Sequence, residues 1–391
     1  MKVIFTLGSP AIGGGTNVIF EHASYIKDQG NDVFIVCKNK ISKEEYAWHS
    51  KAHKLKFVTY EEIKEEEFDV AIATWWETVY NLYKIKAKDY IYFVQSIESK
   101  FYKDKQKELR LLSELTYALN LKVITEATWI KKYLEENYDL PVKLVLNGIR
   151  KDIFKVLKDV PKHEGLRVLV EGPVDVHFKN VPLTIELAKK SKASEIWLLT
   201  SSDIKKYPGV DKVFSKIPPK DCVKVYSQCD VIVKLSLVEG MFGPPLEMFH
   251  TGGTAIVYDV SGHDEYIKDK YNGIVVKTGD EEGVIKAINS LTDEKLLNKY
   301  KKNALITAAN WDSWEESSAN FYEAMKEHLE SDRVKYKPLV KKTNLYYELY
   351  TLYNDKEDHL VTVLGRMIKR RSKFLYKHLK KVRDLFRKEE D

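Results

Sequence analysis

The chain has 391 residues, of which 44% are hydrophobic, 31% charged and 12% aromatic. This composition excludes a disordered chain, a collagen-like fibre and a small disulfide scaffold, and the length suits two domains of ordinary size. The net charge of +6 is uneven, because residues 361–391 hold eleven basic and four acidic side chains and the other 360 residues therefore sum to −1.

The cysteines and the first residues indicate where the protein resides. No apolar run approaches the ~20 residues that a membrane-spanning helix needs. The first residues contain one lysine and then a short apolar run without a small-residue cleavage site, which predicts a β-strand rather than a signal peptide. Cys37, Cys222 and Cys229 are odd in number and lie in predicted strands or helices. We therefore expect free thiols and a cytoplasmic protein.

Short β-branched runs alternate with helix-length amphipathic stretches up to about residue 290. In the first half, strands are predicted at 2–7, 32–36, 54–58, 70–73, 89–94, 121–125 and 142–145, and helices at 16–29, 60–67, 77–84, 105–120 and 126–138. In the second half, strands are predicted at 166–170, 195–200, 211–215, 231–234, 254–258 and 273–276, and helices at 181–192, 219–228, 244–251, 261–269 and 280–291. Buried strands that alternate with crossover helices form parallel sheets, so the pattern predicts an α/β fold with two doubly wound domains.

The domain boundary is predicted within residues 151–165, where turn residues replace any sustained period. The expected division is a first Rossmann-like domain at 1–155, a second at 156–330 and a helical basic tail at 331–391. In the tail, apolar residues recur near helical spacing among Lys and Arg from residue 364 onward, which predicts a basic amphipathic helix. We expect it to bind an anionic membrane surface, with docking on the protein body as the alternative. No nucleic-acid partner is expected.

Two loops have the composition of ligand-binding loops. Gly13, Gly14 and Gly15 follow the first strand and open a helix, where ligand oxygens can approach backbone N–H groups, although a plain strand–helix turn is equally compatible. The second loop follows the buried strand at 231–234 and places Glu239 and Glu247 eight residues apart with a Gly-Pro-Pro turn between them. Because it lies at the carboxyl end of a strand, it is a candidate ligand site, and the alternative is a capped helix with a surface glutamate.

The second loop resembles the Glu-x7-Glu motif of the retaining family 4 glycosyltransferases. That family acts on nucleotide sugars and has the GT-B fold, in which two Rossmann-like domains face a central cleft. Other segments resemble family elements in the same order: the loop at 13–15, Asn147-Gly148-Ile149 with Phe154, Glu171-Gly172 with Lys179-Asn180, residues 250–256, Glu265 with 272–276, and Trp311 with Trp314. The resemblance covers roughly residues 1–330.

The resemblance implies a role for each matching residue. Lys179 would neutralise the donor diphosphate, Glu247 would hold the ribose and Glu239 would lie near the donor sugar. The implied donor set is completed by Gly172, Met241, Phe242, Gly243 and Asn147. One position departs from the family, because Pro173 follows Gly172 where an arginine is usual. His177, Arg150 and Lys234 are the candidates for the missing cation.

Residues 90–102 resemble a stretch of a subgroup that contains bacterial surface-glycan rhamnosyltransferases. The resemblance places Gln95 and Glu98, together with Gly14 and Gly15, on the acceptor side of the cleft, and it adds Gln95 to the catalytic set of Glu239 and Lys179. Ser96 stands where the subgroup has an aspartate. The alternative interpretation of this segment is a core strand followed by a capped helix.

Other conspicuous residues favour structural roles. His49 and His53 are spaced as a helical metal pair but have no third ligand, so we interpret them as surface histidines. Trp75 and Trp76 are interpreted as packing at a sheet end. No Asp-x-Asp motif is present, and we expect neither a cofactor nor an essential metal.

These observations predict a glycosyltransferase. By the resemblance, it moves a sugar from dTDP-rhamnose, or from a UDP- or GDP-sugar, to a growing surface polysaccharide or lipid-linked glycan, with retention by same-face displacement and without a metal. The enzyme would be cytoplasmic or peripheral on the inner face of the membrane. A nucleotide-sugar 2-epimerase and a non-catalytic sugar-binding partner are the alternatives.

Overall fold

A computed structural model describes residues 1–354 of the chain. The basic amphipathic helix predicted beyond residue 360 lies outside the described residues. None of the helices formed by residues 1–354 combines the length and apolarity needed to cross a membrane. Cys37, Cys222 and Cys229 form no disulfide, as predicted.

The first domain is a parallel sheet of seven strands covered by helices, because its strands are buried on both faces. The strand order is β3-β2-β1-β4-β5-β6-β7. The strands are β1 Lys2–Leu7, β2 Asp32–Cys37, β3 Lys56–Thr59, β4 Glu67–Ala73, β5 Lys86–Val94, β6 Lys122–Thr125 and β7 Val142–Leu144. The helices are α1 Gly14–Asp28, α2 Lys43–Tyr46, α3 Trp76–Val79, α4 Lys107–Leu115 and α5 Thr128–Tyr138, with 3-10 turns at Ala52–Lys54, Leu82–Lys84, Glu98–Phe101 and Tyr117–Leu119.

The second domain repeats this architecture with a six-stranded parallel sheet in the order β10-β9-β8-β11-β12-β13. The strands are β8 Arg167–Glu171, β9 Glu195–Thr200, β10 Lys212–Ser215, β11 Val231–Lys234, β12 Thr254–Tyr258 and β13 Gly273–Val276. The helices are α6 Val181–Lys189, α7 Pro219–Tyr226, α8 Gly243–His250, α9 Glu281–Ser290 and α10 Glu294–Ala309, with 3-10 turns at His177–Lys179 and His263–Glu265. Both orders reverse direction at a central switch point, as in Rossmann domains. The predicted α/β fold with two doubly wound domains is confirmed.

The chain crosses between the domains twice, and the two crossings are joined by hydrogen bonds. Ile149 N–H donates to the Asp312 carbonyl at 3.1 Å, and Trp314 N–H donates to the Ile149 carbonyl at 3.2 Å. A Cβ on Gly148 would overlap the Ser313 backbone, so only glycine fits there. The crossings therefore form one two-stranded connection rather than two independent linkers.

The second crossing leads into α11, Trp314–Glu330, which packs on the first sheet. Its Phe321 and Met325 are fully buried in the first domain's core, and His328 Nε2 lies 2.9 Å from the Val123 carbonyl oxygen. Helix α11 lies within residues 156–330, the range predicted for the second domain, but it packs on the first. The apolar face of α11 completes the cover of β1, β5 and β6, and it belongs to the first domain.

A last helix, α12 Tyr336–Asn354, also covers the first domain. Its Leu339 is buried, and its Tyr350 ring stacks on Tyr80 with the ring centroids 5.9 Å apart. The start of the predicted helical tail is thus an integral part of the first domain.

The predicted strands all occur, with ends that differ by at most three residues. The helix predicted at 60–67 is a series of turns because β4 already begins at Glu67, and the helix predicted at 261–269 is a single 3-10 turn. Helix α10 was not predicted, although its buried Leu297, Tyr300, Ala304 and Ala308 recur at helical spacing.

Candidate active site

A cleft of about 1090 Å³ lies between the two domains. It is lined by the segments that follow β1, β5, β6 and β7 in the first domain and β8 and β11 in the second. Ligands of open α/β sheets bind at the carboxyl ends of the strands, so the two facing sheets place their ligand-binding ends in one cavity.

A buried ion pair lies on the second domain's side of the cleft. Lys179 ends the 3-10 turn after β8, and its Nζ lies 2.9 and 2.8 Å from the two carboxylate oxygens of Glu239. Glu239 follows β11 and is 7% exposed. Burial alone would raise the pKa of Glu239, but the Lys179 and Lys234 cations hold it below its ordinary value. Glu239 is therefore an anion facing the cleft.

Lys234 supplies a second cation next to this ion pair, and Lys179 and Lys234 with their carboxylate partners are called the cation cluster below. It is the last residue of β11, its side chain is 3% exposed, and its Nζ lies 2.7 Å from Glu171 Oε2 and 3.5 Å from Glu239 Oε1. Burial lowers the pKa of Lys234, but the two carboxylates outweigh this effect and hold it above its ordinary value. Of the three candidates for the missing arginine, Lys234 is the one that contacts Glu239.

Arg150 is engaged elsewhere. Its guanidinium binds Asp152 at 2.9 Å and also contacts Glu21 at 3.3 Å. His177 precedes Lys179 in the same 3-10 turn, but it is not among the residues that line the cleft.

Gly172 keeps the space above Lys234 open. Its φ of +134° is a conformation that side chains rarely adopt. A Cβ there would lie 3.1 Å from Val181 Cγ2 and 4.0 Å from Lys234 Nζ. The glycine predicted for the donor set therefore borders the cation cluster.

Helix α8 carries the second predicted glutamate. Glu247 lines the cleft, and burial raises its pKa to about 7, while a hydrogen bond with Tyr226 lowers it. The helix begins at Gly243, which lines the cleft with Met241, whereas the Phe242 side chain is fully buried and its carbonyl accepts from the Tyr266 hydroxyl at 2.6 Å. Phe242 can therefore contribute only its backbone.

The predicted acceptor-side residues belong to the first domain. Gly14 and Gly15 begin α1 at the cleft, and a Cβ on Gly15 would lie 3.1 Å from Gln95 Oε1. Asn147, which was predicted for the donor set, also lies in the first domain: it follows β7, is 8% exposed and donates from Nδ2 to Glu126 Oε2 at 2.9 Å. All four residues line the cavity that holds Lys179 and Glu239.

Glu98, the fourth residue predicted for the acceptor side, is engaged in hydrogen bonds within the first domain. It is 1% exposed at the base of the cleft, and its Oε2 accepts hydrogen bonds from the Trp76 backbone N–H at 2.9 Å and the Tyr92 hydroxyl at 2.8 Å. Burial raises the pKa of this carboxyl to about 8. Its hydrogen bonds hold α3 against β5, and it also lines the cleft, so its contact with acceptor hydroxyls stays a prediction.

The interpretation of His49 as a surface histidine is also wrong. His49 is 4% exposed, lines the cleft, and has its Nε2 3.4 Å from Glu21 Oε1. Burial raises the pKa of Glu21, but His49 and Lys51 outweigh it and lower the pKa to about 2. Trp76, in contrast, is fully buried, which confirms the packing interpretation for that residue.

The sequence interpretation did not include Glu126. This residue follows β6 at the cleft and is 5% exposed. The helix predicted at 126–138 includes it, whereas α5 begins at Thr128. The available signal was an acidic side chain placed directly after a fully buried strand.

Two Rossmann-like domains with a cation cluster in the cleft between them define the GT-B class of fold. Solved structures with the same architecture include sucrose-phosphate synthase from Thermosynechococcus elongatus, at 15% identity over 83% of this chain and 98% of that chain, with a TM-score of 0.67. HepE of Anabaena in complex with UDP-glucose is 13% identical over 84% of this chain and 100% of that chain, with a TM-score of 0.69. At these identities the likeness establishes the fold alone.

Residues 151–306 match the family model described as "Glycosyl transferases group 1". The matched residues form most of the second domain, which carries the cation cluster. A curated relative, the UDP-Gal:alpha-D-GlcNAc-diphosphoundecaprenol alpha-1,3-galactosyltransferase of Escherichia coli, is 34% identical over 83 residues. That alignment covers 21% of this chain and 21% of the relative, so the chain matches about a fifth of the relative's length.

Proposed function

We propose that the protein is a retaining glycosyltransferase that moves a sugar from a nucleoside-diphosphate sugar to a glycan acceptor. The observation that carries the proposal is the position of Lys179 and Lys234, which share one cleft with the first residues of α8. Two ammonium groups and a helix N-terminus are what a diphosphate requires.

The cations of the cluster are paired with carboxylates that a ligand can displace. The Lys179 side chain is 24% exposed and can turn from Glu239 towards a diphosphate, whereas Lys234 is held in place beneath it. As the bond between the anomeric carbon and the diphosphate oxygen breaks, its electron pair leaves with the diphosphate. Lys179, Lys234 and the backbone N–H of Gly243 stabilise that developing charge.

The acceptor hydroxyl then forms the new bond on the same face of the sugar, and its proton passes to the departing diphosphate oxygen. Gln95, with Gly14 and Gly15, orients the acceptor from the first domain, and Glu239 orients the sugar. The protein's own cations neutralise the diphosphate in this scheme, so the proposed reaction requires no metal or cofactor.

Glu247 and Asn147 complete the donor site. We assign the ribose hydroxyls to Glu247, which lies further along α8 on the same side of the cleft. The Asn147 Oδ1 atom is buried without a hydrogen-bond partner among the described residues, so it is available to a donor hydroxyl.

The relatives suggest the first substrates to test. HepE was solved with UDP-glucose, and the E. coli relative is named for UDP-galactose and a diphosphoundecaprenol-linked acceptor. We therefore propose a UDP-hexose donor and a lipid-linked glycan acceptor, as in surface-polysaccharide synthesis. dTDP-rhamnose is the second candidate donor because residues 90–102 resemble the rhamnosyltransferase subgroup.

The proposal is tested by measuring nucleotide release from UDP-glucose, UDP-galactose, GDP-mannose and dTDP-rhamnose, with and without a diphosphoundecaprenol-linked N-acetylglucosamine. We expect acceptor-dependent release, at least a hundredfold lower in Lys179→Ala and Glu247→Ala and unchanged in the exposed control Lys190→Ala. Conversion of the donor to another nucleotide sugar without acceptor would identify an epimerase instead. Binding without any turnover would identify a sugar-binding partner.

We further propose that residues 361–391 hold the enzyme on the inner, anionic face of a membrane, where lipid-linked acceptors lie. Basic residues near such a surface gain about 1 kcal/mol each. Liposomes containing phosphatidylglycerol should sediment the full chain but not a version that ends at Leu360. Equal sedimentation of the two proteins would refute this part of the proposal.

A further inference from the structure

Glu126 faces the second domain across the cleft. It is contributed by the segment after β6, and it lies opposite residues 239–243, which connect β11 to α8 and are called the donor loop below. Its carboxyl is buried although it lines the cavity. Among the described contacts of Gly240 in the donor loop, Glu126 supplies the nearest carboxyl from the first domain.

Three first-domain groups surround Gly240 of the donor loop. Trp129 donates from Nε1 to the Gly240 carbonyl at 2.8 Å. A Cβ on Gly240 would lie 2.8 Å from Glu126 Oε1 and would overlap the Gln95 backbone oxygen. These contacts join the donor loop to the first domain, so they exist only while the two domains are closed on each other.

The Glu126 carboxyl is itself held from both domains. Its Oε2 accepts from Asn147 Nδ2 at 2.9 Å, and the backbone N–H of Met241 faces the same carboxyl from the donor loop. The charged groups that face it are Glu239 and Lys179, both on the second domain. A negative charge on Glu126 therefore opposes the negative charge on Glu239 at the point where the domains meet.

We propose that Glu126 is a positioning residue, and that together with Asn147 and Trp129 it holds the donor loop against the first domain and so places Glu239 in the closed cleft. This proposal depends on the proposed function in one respect only: the first test below measures the binding of a nucleotide. The contacts themselves require no assumption about the reaction.

The contacts make closure dependent on pH. Burial raises the pKa of Glu126 to about 8, Glu239 raises it as well, and the hydrogen bonds from Asn147 and Met241 and the charge of Lys179 lower it. When the donor loop moves away, water reaches the carboxyl and its pKa falls towards the ordinary value of 4.5. Closure therefore takes up a proton between pH 4.5 and 8, and the closed form weakens by up to about tenfold per pH unit in that range. Above pH 8 the dependence ends because the carboxyl is ionised in both forms.

The test compares the pH dependence of UDP affinity, measured by titration calorimetry from pH 5.5 to 9, in the wild type, Glu126→Gln and the exposed control Glu135→Gln on α5. Glutamine keeps the shape and cannot ionise, so the ratio of the wild-type Kd to the Glu126→Gln Kd should rise by about tenfold or more between pH 5.5 and 8 and then level off. Glu135→Gln should follow the wild type. A ratio that stays constant over this range would overturn the proposal, whatever the absolute affinities.

A measurement without ligand separates this proposal from the proposed function. The radius of gyration from small-angle scattering should increase with pH up to about 8 in the wild type and increase less in Glu126→Gln, which keeps the contact of Thr128 with Glu265, a second carboxyl at the junction whose pKa burial raises. Trp129→Phe, which removes the hydrogen bond to Gly240 and part of the indole's packing surface but no titratable group, should be more open at every pH and keep the wild-type slope. If no nucleotide binds but these scattering profiles appear, the function is refuted and the positioning role stands. Identical profiles in the wild type and Glu126→Gln would refute the positioning role.

Discussion

Replacing Lys234 with methionine separates the contribution of this cation to folding from its contribution to ligand binding. Methionine fills a similar volume but leaves Glu171 and Glu239 without the buried ammonium group. Removing one partner of a buried ion pair costs about 3–5 kcal/mol. Glu239 retains Lys179 and the Glu171 side chain is 22% exposed, so we expect the lower end, about 3 kcal/mol.

The double variant Lys234→Met/Glu171→Gln removes both partners of the shorter contact. Replacing both members of a buried pair by neutral groups is close to neutral for folding, so most of the lost free energy of unfolding should return. The missing contact to the diphosphate does not return. A charge-assisted hydrogen bond contributes about 1.5–3 kcal/mol, so UDP should bind the double variant roughly 10- to 150-fold more weakly than the wild type.

The assay combines urea unfolding, for the free energy of unfolding, with titration calorimetry of UDP, and Lys234→Arg serves as the charge-retaining control. The reasoning is refuted if the single and double variants are equally unstable, because the cost would then come from packing. It is also refuted if the double variant binds UDP as tightly as the wild type, because Lys234 would then have no part in holding the diphosphate.

Two further predictions concern buried charges. Lys122 is 7% exposed, forms an ion pair with Asp89 and donates to the Ser331 carbonyl at 3.3 Å. Lys122→Met should therefore lower the free energy of unfolding, measured in urea, by about 3–5 kcal/mol. The exposed control Lys132→Met should change it by less than about 0.5 kcal/mol. Equal stability of the two variants would contradict this. The pKa of Glu247 is raised to about 7, so the folded protein binds a proton at this carboxyl more tightly than the unfolded chain does. The stability of the wild type relative to Glu247→Gln should therefore fall from pH 4.5 to 7 and stay constant above pH 7. Thermal unfolding of both proteins at each pH measures this difference. Parallel pH profiles of these two proteins would contradict the raised pKa of Glu247.

The fold was readable from the sequence where local pattern and burial agree. The β-branched runs such as Val231–Lys234 are buried on both faces and have no competing helical period, so their position as parallel strands follows directly. Helix α11 shows the limit of this reasoning. Its buried residues recur at helical spacing, but the second domain crossing decides which sheet they cover, and no local sequence pattern indicates that crossing.

The site was readable only where one segment carries several of its residues. Glu239 and Glu247 lie on one loop and helix, and the resemblance connects them to Lys179. Lys234 was one of three candidate cations, and its place was decided by the pairing of β11 with β8, which brings it to Glu171. The burial of His49 and the place of Glu126 in the cleft could not be predicted, because burial at a domain junction depends on contacts between residues far apart in the sequence.

The most direct test of the central claim is a crystal structure of the protein with UDP. The account predicts that the diphosphate lies between Lys179 and the start of α8, within hydrogen-bond distance of Lys179 Nζ and the Gly243 backbone N–H. A diphosphate bound in the cleft away from both groups, with the Lys179–Glu239 pair intact, would contradict it.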